Sequence, residues 1–122
     1  MTRDARGEGL SRRHRFTARG SFGELLRAGK KVRGPSLVVH AAPSRTPDSR
    51  LGIALTRRLV ASSVDRNRVK RAVRETFRRH PVKRDGLDCV VTLRIRFAGG
   101  PLAALRSELG GLFDHLHEAR MR

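Results

Sequence analysis

Basic side chains dominate one short stretch of the chain, VDRNRVKRAVRETFRR at positions 64–79. Seven of these sixteen residues are Arg or Lys, and the only acids among them are Asp65 and Glu75. Because a guanidinium group pairs with phosphate through two parallel hydrogen bonds, the stretch predicts contact with a polyanion. The alternative is a solvated charged face, but such faces normally interleave both signs.

Hydrolytic chemistry is poorly supported by the other residue types. Metal-assisted phosphodiester hydrolysis needs clustered carboxylates, and the 11 acids are scattered along the sequence without a recurring pair. His115 and His117 lie about 200° apart around a helix, so they cannot bind one ion together. The single cysteine, Cys89, lies in an apolar run that is typical of a buried, unreactive thiol. We therefore expect no catalytic residue, metal site or organic cofactor in this chain.

The basic stretch predicts a helix with two different faces. Val69, Val73 and Phe77 recur every fourth position and form one apolar stripe, with Ala72 at its margin. The opposite side carries Asn67, Arg71, Arg74 and Arg78, flanked by Arg68 and Arg79. We expect the apolar stripe to pack on a sheet while the arginines, spaced three and four apart, face a partner.

Local signals set the two ends of this helix. Ser62, followed three positions later by Asp65, is a typical N-terminal cap. The helix is predicted to end at Arg79 because His80 precedes Pro81, and a residue before proline disfavours the α conformation.

The composition indicates one basic domain. The 122 residues include 28 Lys and Arg against 11 Asp and Glu, which gives a formal net charge of +17. A folded chain with this charge repels itself, which favours a polyanionic partner. No apolar run approaches the roughly 18 residues of a membrane-spanning helix, so no membrane contact is expected. No signal peptide is recognised either, and a cytoplasmic location is expected.

Hydrophobic periodicity and turn residues predict an α+β sandwich of a small mixed sheet with helices. The predicted order is α-β-β-(β)-α-β-α, with the basic helix in a βαβ crossover. Residues 1–14 are polar and basic and predict a mobile arm, while residues 15–122 form a single domain. Strands are predicted at 36–42, 50–56 and 88–97, and flanking helices begin after Ser21 and after Pro101.

The sequence RNRVKRAVRE at 66–75 resembles the RNR motif of the bacterial ribonuclease P protein subunit. Two neighbouring stretches are also similar to that family. They are RLGIALTRR at 50–58, a strand and basic turn, and RFTARGSFGELLRAGK at 15–30, the N-terminal helix segment. The resemblance runs from about Arg13 to Leu116, and it includes the order of the predicted elements.

This resemblance implies a function in which a large RNA carries out catalysis. In this family that RNA removes the 5′ leader from precursor tRNA by Mg²⁺-dependent hydrolysis, and the protein assists it. The implied partners are the ribonuclease P catalytic RNA and precursor tRNA, with no obligate protein partner. The residues implied to bind the catalytic RNA are Arg57, Arg58, Arg66, Asn67, Arg68, Lys70, Arg71, Arg74 and Arg78. The residues implied to line a cleft for the 5′ leader are Phe22, Leu26, Val38 and His40.

The chain departs from the family pattern in its turn and in its cleft. The turn at 60–63 is one residue longer, and Leu26 and His40 occupy positions where aromatic residues are frequent. Base stacking in the cleft is expected to be weaker, since each aromatic stack contributes about 1–3 kcal/mol. Phe22 also fits ordinary core packing, and His40 also fits a hydrogen-bonded strand histidine.

Two other classes of protein share part of this pattern. A ribosomal protein or general RNA chaperone would have a similar charge and fold type, without a preference for a 5′ leader. A duplex DNA-binding protein would place the basic helix in the major groove, usually as a dimer. Competition between precursor tRNA, ribosomal RNA and duplex DNA separates the three.

Overall fold

The computed structural model describes Leu25 and residues 29–121. Its elements are the strands β1 (Lys30–Arg33), β2 (Leu37–Pro43), β3 (Arg50–Ala54) and β4 (Leu87–Leu93), the helices α1 (Ser63–Arg79) and α2 (Ala103–Met121), and a 3-10 helix (Pro81–Arg84). The predicted arm at 1–14 lies outside the described residues. So does the predicted first helix, apart from Leu25, which is helical.

The four strands form one mixed sheet in the order β1-β2-β4-β3. The pairs β1–β2 and β2–β4 are antiparallel, whereas β3 and β4 are parallel. Parallel neighbours cannot be joined by a tight turn, and here the chain crosses from β3 to β4 through α1. The predicted α+β fold, with the basic helix in a βαβ crossover, is confirmed.

Both described helices pack on the same face of the sheet. Leu37, Val39 and Ala41 of β2 and Cys89 and Val91 of β4 are buried in one cluster with the apolar residues of the helices. From α1 these are Val69, Val73 and Phe77, and from α2 they are Leu109, Leu112, Phe113 and Leu116. The rings of Phe77 and Phe113 meet edge to face with centroids 5.8 Å apart, which ties α1 to α2 above the sheet.

The opposite face of the sheet is also covered. Val90 of β4 is fully buried there and packs with Leu25. The strand predicted at 88–97 is too long, since β4 ends at Leu93 and Ile95 is exposed. The chain leaves the sheet at this point because Phe97 N donates instead to the carbonyl oxygen of Leu59, at 2.8 Å.

The predicted ends of α1 are confirmed. Ser62 Oγ accepts a hydrogen bond from the backbone N–H of Asp65 at 3.3 Å, and the helix ends at Arg79. His80 has extended backbone angles, φ −99° and ψ 142°, as a residue before proline prefers. Its Nδ1 accepts from the N–H of Val82 at 3.0 Å and so caps the 3-10 helix that follows.

One side chain of α2 fixes the turn between β1 and β2. Glu108 Oε2 accepts hydrogen bonds from the backbone N–H groups of Ser36 at 2.8 Å and Leu37 at 2.7 Å. The same carboxylate lies where a side chain on Gly34 would have to be placed.

Within the described part of the chain, no helix is long and apolar enough to cross a bilayer.

Candidate nucleic-acid interface

Helix α1 separates an apolar face from a basic one, as its sequence predicts. Val69, Ala72, Val73 and Phe77 are almost fully buried against the sheet and α2. On the opposite side, Asn67 and Arg71 are exposed, and Arg74 and Arg78 are half-buried. The structure therefore places Asn67, Arg71, Arg74 and Arg78 on one side of α1, and Arg57 and Arg58 are exposed in the turn before it.

Two arginines of the motif are turned back onto the protein. Arg66 Nη1 donates to the carbonyl oxygens of Val60 at 2.9 Å and Ala61 at 3.0 Å, which holds the turn before α1 against the first turn of the helix. Arg68 Nη2 donates to the carbonyl of Gly100 at 2.8 Å and so links α1 to the loop before α2. Both residues therefore have intramolecular roles that their place in the motif does not reveal.

The basic face of α1 includes one acid, Glu75, whose negative charge offsets part of the positive charge around it. Glu75 accepts a hydrogen bond from Arg106 of α2 at 2.8 Å and pairs with Arg71 at 3.5 Å. The hydrogen bond from Arg106, aided by the charge of Arg71, holds the pKa of Glu75 below its usual range. Arg71 keeps 71% of its side chain exposed, so most of its guanidinium surface remains open to solvent.

The remaining basic residues of the face differ in exposure. Lys70 and Arg74 are half-buried along one flank of α1, and Arg79 is exposed at its end. Arg78 Nε is buried without a hydrogen-bond partner among the described residues. A buried donor of this kind normally finds an acceptor, and none lies among the described residues.

Val38 and His40 lie on the sheet face opposite α1. Their neighbours Leu37 and Val39 point into the core beneath α1, and successive strand residues point to opposite faces. Leu25 packs on the same face over Val90, the cross-strand partner of His40. The structure thus groups the two predicted cleft residues that it describes, whereas Phe22 and Leu26 lie outside the described residues.

His40 is a buried polar residue with one satisfied nitrogen. Its Nε2 hydrogen-bonds with Thr92 Oγ1 at 3.3 Å, whereas Nδ1 is buried with no partner in the described part of the chain. Burial, followed by the positive charges of Lys31 and Arg33, lowers the pKa of His40 below its ordinary value. Of the two ring nitrogens, the described residues therefore satisfy only Nε2.

The carboxylates of the described residues are mostly engaged with the protein itself. The pairs are Asp65 with Arg68, Glu75 with Arg106, Asp85 with His117, Asp88 with Arg50 and Asp114 with His80. Within Leu25 and 29–121, no group of three or more His, Cys, Asp or Glu side chains could hold a metal ion. His117 binds Asp85 while His115 is exposed, in accord with the predicted separation of these two histidines.

The fold and this surface define a small α+β protein that presents an arginine-rich helix on one side of a mixed sheet. The family model for ribonuclease P matches residues 10–117. The chain belongs to the ribonuclease P protein family.

Individual relatives agree with this assignment. The chain is 32% identical to the ribonuclease P protein component of Chromohalobacter salexigens, over 91% of this chain and 88% of the relative. It is 36% identical to the corresponding protein of Methylococcus capsulatus, over 72% and 69%.

Solved structures show the same architecture. The ribonuclease P protein from Thermotoga maritima has a TM-score of 0.71 and 31% identity, covering 83% of this chain and 96% of that one. A Staphylococcus aureus ribonuclease P protein mutant with defective mRNA degradation activity has a TM-score of 0.76, covering 93% and 94%. At 23% identity, the second comparison supports the fold alone.

Proposed function

We propose that this chain is the protein subunit of ribonuclease P and assists a catalytic RNA in removing the 5′ leader of precursor tRNA. In this proposal the basic face of α1 binds the catalytic RNA, and the sheet face that carries Val38 and His40 holds the leader. The observation that carries the proposal is the division of one small domain into these two faces, in a chain of this family. One face presents guanidinium groups, while the other offers a covered, mainly apolar surface.

The location of the two surfaces suits this role. The apolar stripe of α1 is used up in packing against the sheet, so its opposite side can meet RNA without loss of the core. The leader face lies across the sheet from α1, so the domain can contact two RNA segments at the same time. Contacts to the leader favour precursor over mature tRNA, because the mature product lacks that segment.

Catalysis is assigned to the RNA and not to this chain. Five carboxylates of the described residues already pair with Arg or His side chains, and Glu108 binds two backbone N–H groups. Metal-assisted phosphodiester cleavage needs carboxylates that are free to bind cations. We therefore place the Mg²⁺ ions in the RNA-based holoenzyme.

The contribution of the protein is then charge neutralisation. Each phosphate that it pairs with releases counterions, which lowers the concentration of Mg²⁺ needed to hold two RNAs together. The formal charge of +17 and the exposed arginines of α1 supply this effect.

Binding to the RNA subunit tests the basic face directly. The affinity of the chain for a bacterial ribonuclease P RNA is measured at several salt concentrations with wild-type protein, Arg71→Ala and Arg74→Ala. Each variant is expected to weaken binding and to flatten the plot of log affinity against log salt by about 0.7–0.9 per lost phosphate contact. Lys30→Ala removes one exposed charge at the far edge of the sheet and serves as the control. Equal losses in all three variants contradict the assignment of the α1 face.

A further inference from the structure

We propose that Lys31 and Arg33, with Arg94 beside them, form a basic rim that binds the backbone phosphates of the single-stranded 5′ leader. The rim lies on the sheet face opposite α1, at the edge formed by β1. This inference rests on the proposed function, because it names the residues that hold the leader. The sequence alone assigns these three residues no role.

The strand register places Lys31 and Arg33 on the leader face. In the antiparallel pair β1–β2, Lys31 lies opposite His40 and Arg33 lies opposite Val38. Val32, between them, packs against the core cluster on the α2 side of the sheet. Because strand residues alternate between faces, the two flanking basic side chains project from the other face, next to Val38 and His40.

Both side chains are exposed, and their spacing suits an extended nucleic-acid strand. Residues two apart on a strand are separated by roughly 6.6 Å, which is close to the spacing of successive phosphates in a stretched single strand. β1 forms one end of the four-stranded sheet. Lys31 and Arg33 therefore stand at the margin of the face, where a backbone can run along the rim while its bases turn inward.

Arg94 extends the rim past the end of β4. Its backbone N–H donates to the carbonyl of Ser36 at 2.7 Å, so it continues the β2–β4 ladder by one residue. Alternation then places its side chain on the same face as Thr92. Arg94 Nη1 donates to the carbonyl of Gly34 at 2.8 Å, which holds the guanidinium beside the turn between β1 and β2.

The cations of the rim keep their full charge among the residues that the structure describes. Within the described residues, neither Lys31 nor Arg33 forms an ion pair. Glu108 approaches the turn between β1 and β2 from α2, and its carboxylate is held there by two backbone N–H groups. An unbalanced pair of cations at the margin of a covered face is the arrangement expected for phosphate contacts.

The two cations of β1 lie close enough to His40 to affect its pKa. Besides burial, the charges of Lys31 and Arg33 both contribute to lowering its pKa. A phosphate bound between them would cancel part of this field and supply negative charge close to the imidazole. His40, whose buried Nδ1 has no partner among the described residues, therefore lies beside the place where a leader phosphate would bind.

A single strand fits this surface better than a duplex does. The face beside the rim carries the largely buried Val38 and His40, and a positive edge that tracks the backbone is typical of single-strand binding. A duplex would present only its phosphates and would leave the inner surface unused. The single-stranded 5′ leader is therefore the proposed ligand of the rim.

A matched pair of charge reversals on one strand tests the rim. Lys31→Glu changes a residue on the leader face, whereas Lys30→Glu makes the same change at the neighbouring position, which points to the α2 side. Each variant is assembled into the holoenzyme with ribonuclease P RNA. Its affinity is then measured for precursor tRNA with a leader of about eight nucleotides, for precursor with a single leader nucleotide, and for mature tRNA.

We expect Lys31→Glu to weaken binding of the long-leader precursor about fivefold, and the Lys31→Glu/Arg33→Glu double variant at least about tenfold. The salt dependence should fall by about 0.7 for each lost single-strand contact. Lys30→Glu, the single-nucleotide precursor and mature tRNA should show little change. Thermal unfolding of each variant confirms that these exposed substitutions leave the fold intact.

The measurements distinguish a failure of the rim from a failure of the proposed leader-binding function. Equal losses in Lys31→Glu and Lys30→Glu, or equal losses for long-leader and mature substrates, would overturn the rim while the wild type still prefers the long leader. A duplex RNA competitor that displaces the rim-dependent binding as well as a single strand does would also overturn it. A wild-type holoenzyme without any preference for the long leader would overturn the proposed leader-binding function, and the rim with it.

Discussion

Comparing Arg66 with Arg71 distinguishes a structural role from an RNA-binding role within the RNR motif. Its Nη1 bridges the carbonyl oxygens of Val60 and Ala61, at 2.9 and 3.0 Å, and so holds the turn between β3 and α1. Arg71, five residues further along, is 71% exposed, and among the described residues it pairs only with Glu75, at 3.5 Å. We therefore predict that Arg66→Ala acts mainly on stability, and that Arg71→Ala acts mainly on RNA binding.

The expected size of the Arg66 effect follows from its two hydrogen bonds. Hydrogen bonds from a charged donor contribute about 1.5–3 kcal/mol each when buried, but Arg66 is half-buried and water can replace part of the contact. A total loss of about 1–2 kcal/mol is reasonable on these grounds. With an unfolding entropy of about 2.1 cal/mol/K per residue over 122 residues, this loss lowers Tm by about 4–8 °C.

The assay compares thermal unfolding with RNA binding for the same variants. Arg66→Ala should lower Tm by that amount and leave the salt dependence of RNA binding close to wild type. Arg71→Ala should change the stability by less than about 0.5 kcal/mol and flatten the salt dependence by about 0.7–0.9. A wild-type Tm for Arg66→Ala together with a flattened salt dependence would refute the structural role of Arg66.

Four further outcomes follow from single features of the fold. Gly110→Ala should stabilise the protein by up to about 1 kcal/mol in denaturant unfolding, because an added Cβ meets open space within α2. Gly34→Ala should destabilise it, since the Cβ would strike the carboxylate of Glu108. Stability should fall as the pH drops below the unfolded-state histidine pKa of about 6.5, because the folded-state pKa of His40 is depressed and protons bind more tightly to the unfolded chain. If a His40→Gln variant keeps the full slope of Tm against pH between pH 7.5 and 5.5, His40 is not the cause of the pH dependence. Cys89 should resist iodoacetamide at pH 8 until the protein unfolds, because burial, with smaller contributions from nearby acids, raises its pKa to about 12, and rapid native-state labelling would contradict this burial.

Local chemistry explains why α1 could be predicted well from the sequence. The cap at Ser62, the stop before Pro81 and the apolar stripe through Val69 and Phe77 all depend on residues within a few positions of one another. The same holds for the basic face, because helical periodicity alone decides which arginines share a side.

Contacts between distant parts of the chain explain what the sequence could not show. Arg68 meets the carbonyl of Gly100, 32 residues away, and Glu108 of α2 binds the turn at Ser36. Neither contact is visible before the packing of α2 is known. The strand predicted at 88–97 runs too far because apolar and polar residues go on alternating in the sequence after β4 has ended at Leu93, and Ile95 is exposed.

The leader face required the strand register. Short strands such as β1 give too few residues for a periodic signal, and KKVR carries only one apolar side chain. Only the pairing of Lys31 with His40 shows that two basic residues stand beside the predicted cleft.

The most direct test of the proposed function is cleavage of a 5′-labelled precursor tRNA at low Mg²⁺ concentration. Three samples are compared: the protein alone, a bacterial ribonuclease P RNA alone, and the two together. We expect cleavage at the mature 5′ end only in the combined sample, because the protein supplies the charge neutralisation that low Mg²⁺ does not. Cleavage by the protein alone would contradict the assignment of catalysis to the RNA. A combined sample that binds RNA without cleaving the precursor would contradict the subunit role and favour a ribosomal or chaperone function.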